Sequence, residues 1–258
     1  MANRGFLFTL ALVILPKTSH RPTKVPMTMK STTLPPCHGF TLLEMAMVLL
    51  VMGLLLGGIL GPLSIRQEIN KRQDAEIMLQ TIHDTLMGFA ITHGYLPCPD
   101  ANGDGQEDRT NHRCHPIKDH HEIAIGQLPY VTLGVGYLDP WNNRFTYTVD
   151  PDFADSSQTP LPTFTSVNPG RITVTHGIDH TPALVISHGG NGLGAVNAAN
   201  KPQLTPESPS ERENSDHNAL FIRDEYRDTP ENTFDDMMTW ISPPLLALRM
   251  LQAGKPLP

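Results

Sequence analysis

The chain has 258 residues, with 19 lysines and arginines against 26 aspartates and glutamates and a formal net charge of −7. An acidic balance argues against nucleic-acid binding, which requires clustered basic side chains. The residues after position 93 are numerous enough for one globular domain with a hydrophobic core.

The first 39 residues are basic and contain no acid. Their bases are Arg4, Lys17, Arg21, Lys24 and Lys30. Without these five, 14 bases remain against 26 acids. Basic segments stay on the cytoplasmic side of a membrane, so this asymmetry predicts that the acidic remainder is placed across it.

Residues 39–65 read GFTLLEMAMVLLVMGLLLGGILGPLSI, and Glu44 is the only charged residue among them. About 20 apolar residues suffice to cross a bilayer. A carboxylate at membrane depth costs at least about 2.5 kcal/mol, so an acid kept there is expected to have a partner and a function. The pattern predicts a transmembrane helix over 40–65.

The segment GFTLLE at 39–44 resembles the processing site of the type IV prepilin and pseudopilin family. The resemblance implies that a prepilin peptidase cleaves between Gly39 and Phe40 and that the amine of Phe40 is methylated. It implies that Glu44 pairs with the methylated amine of a neighbouring subunit. It also implies a single-pass protein of the bacterial inner membrane that assembles with other pilins. The alternative is an ordinary anchor with a stray acid.

A leader of residues 1–39 is longer than this family usually carries. Met27 and Met29 are alternative starts, and a start at Met29 gives the short basic leader MKSTTLPPCHG. We therefore expect an over-extended start rather than a functional extension.

Cys37 precedes the predicted cleavage point, so the mature chain keeps Cys98 and Cys114. An even pair in a domain exported to an oxidising compartment predicts a disulfide. Closing a loop of about 17 residues is worth roughly 3 kcal/mol on chain-entropy grounds. Two free thiols are the alternative.

A second helical pattern follows the apolar segment. Its apolar residues recur at spacings of three and four, typical of an amphipathic helix. They are Leu79, Ile82, Leu86 and Phe89. Gly94 is a stop signal. We predict one helix over 40–93, whose amphipathic half, 66–93, packs on a periplasmic or extracellular globular domain formed by 94–258.

Four segments predict β-strands: 144–149, 171–175, 183–187 and 219–223. In the first, Phe145, Tyr147 and Val149 alternate with polar residues, as in a half-buried strand. Short strands separated by turns favour an antiparallel sheet. With the long helix they predict an α+β fold, and the pilin resemblance implies the same arrangement. The order of LPCPD, LPY, DPWNN, FTYTV and FDDMMTWIS is also similar to a group of large minor-pilin-like proteins.

Residues 189–217 are rich in Gly, Asn, Pro and Ser, which predicts a long loop that is either functional or disordered. Residues 233–241 predict a short helix, with Thr233 as its cap and two aspartates, Asp235 and Asp236, in its first turn. The Pro243-Pro244 pair is expected to end that helix.

Oxygen-bearing side chains alternate through the segment 100–108, with Gly105 at the sixth place. They are Asp100, Asn102, Asp104 and Asp108. These spacings are those of a calcium loop, in which side-chain oxygens converge and the glycine permits a sharp turn. The twelfth place holds Asn111 instead of the usual glutamate. The alternative is a surface turn held by the disulfide. Calcium is the one cofactor the sequence suggests.

The segment SHGGNGLG, which begins at Ser187, raises the question of an enzyme. Glycines after a strand bind phosphate when a helix follows, whereas a Pro-rich loop follows here. The sequence lacks the Gly-x-Ser-x-Gly of a nucleophile elbow. We predict a non-enzymatic subunit of a type IV pilus or type II secretion pseudopilus. The alternative is a membrane-anchored binding module at a filament tip that recognises a secreted substrate, DNA or a surface.

Overall fold

The computed structural model describes residues 39–114, 123–157, 170–229 and 232–254, with side chains omitted for 56–64. The predicted leader, apart from Gly39, lies outside the described residues. The chain divides into two units, Met1–Gly53 and Leu54–Pro258. In chain order the elements are α1 (Leu42–His93), β1 (Arg109–Thr110), β2 (Arg113–Cys114), β3 (Ala124–Gln127), α2 (Tyr130–Leu133), β4 (Asn143–Arg144), β5 (Thr146–Val149), β6 (Thr173–Thr175), β7 (Ala183–Ser187), β8 (Val196–Asn197), α3 (Pro209–Glu213), β9 (Leu220–Ile222), β10 (Met237–Trp240) and α4 (Pro243–Gln252).

The longest element is α1, with 52 residues. In its second half Leu79, Ile82 and Leu86 are buried and Phe89 is half-buried, which confirms the predicted stripe. Gly94 ends the helix with a φ of 85° and donates its N–H to the carbonyl of Ala90 at 2.8 Å.

The structure describes the side chains of only part of the predicted membrane segment, 40–65, because those of residues 56–64 are outside the described part of the chain. Within the described residues, no helix combines the length and the apolar character needed to cross a membrane.

The main sheet is antiparallel, with its four strands in the order β10, β7, β5, β3. Val185 on β7 lies opposite Tyr147 on β5 and Thr239 on β10. Three smaller pairs are β1 with β2, β4 with β8, and the parallel pair β6 with β9. The structure is therefore α+β, with an N-terminal helix and a small antiparallel sheet, as predicted. The predicted strands at 171–175, 183–187 and 219–223 contain β6, β7 and β9.

Both faces of the sheet are buried. One face presents Tyr147 and Val185 to the core that includes the α1 stripe. The other face presents Leu184 and Ile186 to a second core formed with Phe221 and other residues of the β6–β9 pair. Strands β4 and β5 confirm the strand predicted at 144–149 and the burial of its apolar residues. Its polar face is not exposed as predicted, because the second layer covers that face and leaves Thr148 only 1% exposed.

The helix predicted over Thr233–Ile241 is also wrong, because Met237–Trp240 forms strand β10 beside β7. Tertiary pairing overrides the local capping signals here. Pro243 and Pro244 do not end a helix but begin α4. Proline fits the first helical turn, where its missing N–H has no partner to lose.

The predicted loop 189–217 contains two short elements, β8 and α3. Strand β8 pairs with β4, which places the loop against the sheet-forming part of the chain. Neither element was predicted, because the segment is rich in Gly and Pro and because neither element exceeds five residues.

Candidate functional site

Thr41 caps the amino terminus of α1. Its Oγ1 accepts the N–H of Glu44 at 3.2 Å, and its carbonyl accepts the N–H of Met45 at 3.1 Å. Threonine at the cap and glutamate three residues later is the sequence of a capping box. Glu44 also lies in the first turn, where a negatively charged carboxylate interacts favourably with the helix dipole. This position of Glu44 in the helix cap was not among the predictions, although the Thr-x-x-Glu signal before an apolar run encodes it.

Gly39 and Phe40 precede the helix and are exposed. A Cβ added at Gly39 would meet nothing within 4 Å, and Gly39 is not among the glycines with positive φ. Neither the backbone nor the surroundings described for this position therefore require glycine. The predicted cleavage and methylation at Gly39 and Phe40 stay predictions.

The first unit exposes a continuous apolar surface along the start of α1. Every large apolar side chain from 40 to 52 is at least 44% exposed. They are Phe40, Leu42, Leu43, Met45, Met47, Val48, Leu49, Leu50, Val51 and Met52. A contiguous apolar surface of this kind marks a site that is covered by a protein partner or a membrane.

Cys98 and Cys114 form the predicted disulfide, with their Cα atoms 5.1 Å apart. Both side chains are buried, and Cys114 lies on β2, which pairs with β1. The bond therefore ties the β1–β2 hairpin to the segment that follows α1.

Replacing both Cys98 and Cys114 by alanine is expected to lower the free energy of unfolding by roughly 3 kcal/mol, because the cross-link restricts the unfolded chain. Urea titration of the full chain in detergent measures this. Reducing the disulfide of the unaltered protein should lower the free energy of unfolding by the same amount. A double variant as stable as the unaltered protein would argue against a stabilising disulfide.

The predicted calcium loop is closed by its own hydrogen bonds. Asp100 is fully buried, and its carboxylate accepts the N–H groups of Gly103 at 2.6 Å and Gly105 at 2.7 Å. Asp108 Oδ2 accepts the N–H of Ala101 at 2.7 Å, and Asp104 Oδ1 accepts that of Gln106 at 2.8 Å. These bonds are those of the alternative, a surface turn.

The structure explains why a glycine is needed at position 105 without any metal ion. Its φ is 84°, and an added Cβ would lie 2.4 Å from the ring of Tyr130. In the part of the chain that the structure describes, no group of three or more His, Cys, Asp or Glu side chains is placed to hold a metal ion. Calcium binding by Asp100, Asn102, Asp104 and Asp108 stays a prediction.

A buried polar cluster surrounds the carboxyl end of β7. Ser187 Oγ donates to Asp139 Oδ2 at 2.8 Å. His188 Nε2 lies 3.0 Å from Thr146 Oγ1, and its Nδ1 lies 3.3 Å from Asp236 Oδ1. A serine nucleophile requires a base within hydrogen-bond reach of its hydroxyl. Ser187 is fully buried and directs its hydroxyl to Asp139 instead of His188.

Hydrogen bonds within the same cluster connect the 189–217 segment to the residues directly before β10. Asp235 Oδ2 accepts the N–H of Asn191 at 2.8 Å. Glu211 Oε1 accepts the side-chain amide of Asn191 at 3.0 Å and the N–H of Asp235 at 3.1 Å. Asn214 Nδ2 donates to Asp236 Oδ2 at 2.8 Å. These contacts of Asp235 and Asp236 were not predicted, because the sequence pattern places both aspartates in a helix.

Burial raises the pKa of the Asp235 carboxyl to about 7. The N–H of Asn191 acts in the opposite direction, while the negative charges of Asp236 and Glu211 raise the pKa further. Asp235 Oδ1 has no hydrogen-bond partner among the described residues. The ionised form of Asp235 is therefore unfavourable in the folded protein.

This carboxyl predicts a pH-dependent stability. Its ordinary pKa of 3.8 is raised to about 7 by folding. Between these values the folded state holds a proton that the unfolded state has released, so the free energy of unfolding falls as pH rises from 3.8 to about 7. Asp235→Asn is expected to raise that free energy at pH 8 by up to about 4 kcal/mol, because this is what a pKa difference of about 3 corresponds to.

Urea titrations of the full chain at pH 5 and pH 8 measure the effect. Asp235→Asn should flatten the pH dependence, whereas Asp179→Asn, the same change at an exposed acid, should leave it unaltered. A gain from Asp235→Asn that is equal at both pH values would contradict the titration of Asp235.

Comparison with known proteins adds one match. Residues 35–60 match the prokaryotic N-terminal methylation motif. No curated protein and no solved structure matches the chain. The match covers the GFTLLE segment and most of the apolar run. The similarity to large minor-pilin-like proteins over the globular part stays a prediction.

Proposed function

Because residues 35–60 carry the prokaryotic N-terminal methylation motif, we propose that this chain is the precursor of a structural subunit of a type IV pilus or a type II secretion pseudopilus. A prepilin peptidase removes residues 1–39, and Phe40 becomes a methylated amino terminus. The chain then enters a filament through the helix that begins at Leu42.

The exposed apolar surface of residues 40–52 carries this proposal. In water such a surface is unfavourable, whereas a membrane or a bundle of like helices would cover it. The residues 40–65 are proposed to occupy the inner membrane before assembly and the filament core afterwards. The part from 94 to 258 is proposed to be periplasmic or extracellular, as the acidic charge and the Cys98–Cys114 disulfide favour.

The glycine at position 39 is a second observation that supports processing by a peptidase. Nothing described around this residue requires a glycine. A requirement imposed by a second protein, such as a peptidase that admits only a small residue before the cut, accounts for a glycine at that place.

Glu44 is proposed to pair with the methylated amine of Phe40 on a neighbouring subunit. A lone carboxylate in an apolar environment is unfavourable, and pairing with a cation offsets the cost. The capping bond from Glu44 N–H to Thr41 uses the backbone of Glu44 alone. The carboxylate therefore stays available for a neighbouring subunit.

Expression in a bacterial host with and without a prepilin peptidase tests the proposal. With the peptidase, the protein should migrate faster on a denaturing gel by the mass of its leader. Equal migration in both hosts would overturn the proposed processing.

A further inference from the structure

Residues 189–193 form a glycine-rich turn after β7, the 189–193 turn, which covers the carboxyl of Asp235. Gly189 has a φ of 59°, and a Cβ added there would lie 2.5 Å from Asp235 Cγ. The carboxyl therefore packs directly against the backbone of the turn. Gly190 and Asn191 are exposed, whereas Asp235 is only 9% exposed. The turn thus lies between the Asp235 carboxyl and solvent.

The hydrogen bonds that attach this turn to the rest of the protein end on acids. Asn191 donates its N–H to Asp235 Oδ2 at 2.8 Å and its side-chain amide to Glu211 Oε1 at 3.0 Å. The N–H of Gly190 faces the same Asp235 carboxyl. The N–H of Leu193 bonds within the turn, to Asn191 Oδ1. Among the described residues, no other hydrogen bond of the turn reaches a distant segment. Two carboxylates therefore hold the turn closed.

Three buried carboxylates meet beneath the turn. The titratable and charged groups that surround them are Asp235 and Asp236 before β10, Glu211 of α3, His188 after β7, Tyr226, and Glu68 and Arg72 of α1. No lysine or arginine forms an ion pair with any of the three carboxylates in the described part of the chain. The donors that bind them are amide and hydroxyl groups, which carry no charge. His188 Nδ1, 3.3 Å from Asp236 Oδ1, is the nearest group able to bear a positive charge.

Asp235 is the acid that the turn separates from water. Its Oδ2 accepts the N–H of Asn191, but its Oδ1 is buried and has no hydrogen-bond partner among the described residues. An ionised carboxylate at this place lacks the hydration that water provides, and it lies beside two further acids. Displacement of the turn would admit water to Oδ1. Ionisation of Asp235 therefore favours an open turn, and protonation favours a closed one.

We propose that the 189–193 turn is a pH-sensitive cover, which closes over Asp235 when its carboxyl is protonated and opens when it is ionised, while the main sheet stays folded. Glycines at positions 189, 190 and 192 allow the backbone of the turn to change conformation. Strand β7 stays between β10 and β5 in both arrangements. This inference does not depend on the proposed subunit role, because it uses residues of the second unit only.

The direction of the pH effect follows from the two environments of the carboxyl. With the turn closed, burial raises the pKa of Asp235 from 3.8 to about 7. With the turn open, hydration returns the pKa towards its ordinary value. Between these values the closed arrangement holds a proton that the open one has released, so the open fraction increases as pH rises from 3.8 to about 7. From pH 5 to pH 8 the equilibrium constant for opening should increase about tenfold to a hundredfold.

Amide hydrogen exchange of the full chain in detergent, at pH 5 and pH 8, tests the inference. Each rate is corrected for the faster chemical exchange at higher pH. The N–H of Asn191 is the probe, because opening of the turn breaks its bond to Asp235. Its protection should fall at least about tenfold between the two pH values. Unchanged protection of Asn191 would overturn the inference.

Low concentrations of urea distinguish opening of the turn from unfolding of the whole domain. Opening of a turn exposes little surface, so exchange at Asn191 should not depend on urea. Exchange at Val185, in the centre of the main sheet, should accelerate with urea because it requires unfolding. An equal dependence on urea at Asn191 and Val185 would show that only the whole domain opens and would overturn the inference.

Two variants assign the pH effect to one carboxyl. Asp235→Asn keeps an oxygen that can accept the N–H of Asn191 and removes the ionisable group, so the protection of Asn191 should be the same at both pH values. Glu207→Gln makes the matched change at an exposed acid of the 189–217 segment and should keep the full pH dependence. Persistence of the pH dependence in Asp235→Asn, or its loss in Glu207→Gln, would overturn the inference. The comparison of the unaltered protein at two pH values stands without either variant.

Discussion

Replacing Gly39 by leucine is expected to leave the precursor uncleaved in a host that contains a prepilin peptidase. The reason is external to the folded chain, since a side chain at this position meets nothing within 4 Å. The added bulk is therefore tolerated by the protein itself and excluded only by the peptidase. A denaturing gel of membrane fractions should show a single unshifted band for Gly39→Leu and a faster band for the unaltered chain.

Gly53→Leu is the matched control. Gly53 is also exposed, and a Cβ there also meets nothing within 4 Å. Its precursor should be cleaved to the same extent as the unaltered chain. Normal cleavage of Gly39→Leu, or equal loss of cleavage in both variants, would argue against a specific requirement at position 39.

Replacing Glu44 by glutamine is expected to leave cleavage intact and to abolish incorporation into filaments. Glutamine also suits the last place of a capping box, so the start of α1 is preserved. The change removes the negative charge that is proposed to pair with the methylated amine of Phe40. Immunoblots of sheared filament fractions against membrane fractions measure incorporation, and Glu44→Ala should behave in the same way.

Thr41→Val separates the charge of Glu44 from its place in the helix cap. It removes the oxygen that accepts the Glu44 N–H, at a cost of about 1 kcal/mol to the helix start. Filaments should still contain this variant. If Thr41→Val is excluded from filaments and Glu44→Gln is incorporated, Glu44 acts through helix capping and the pairing role is wrong.

Local sequence patterns predict those helices and strands whose buried residues are regularly spaced or form one continuous run. The stripe at Leu79, Ile82 and Leu86 and the apolar run of β7 are contiguous signals, and both elements are present. Strand β10 is different. Thr233 and the two following aspartates are typical of a helix start, and only pairing with Leu184–Ser187, some 50 residues away in sequence, makes the segment a strand.

The same distinction applies to the sites. The processing motif lies within six consecutive residues, so the sequence alone predicts it, and the match at 35–60 agrees. The polar cluster joins Asn191 to Asp235, which are 44 residues apart. No local pattern encodes this cluster, because it forms only when the chain brings distant segments together.

The amino terminus of the protein recovered from bacterial membranes tests the central claim most directly. Mass spectrometry of the amino-terminal peptide identifies both its first residue and any methyl group on its amine. The processed subunit should begin at Phe40 and carry a methylated amine. A protein that begins at any other residue, or one that begins at Phe40 with a free amine, would contradict the account.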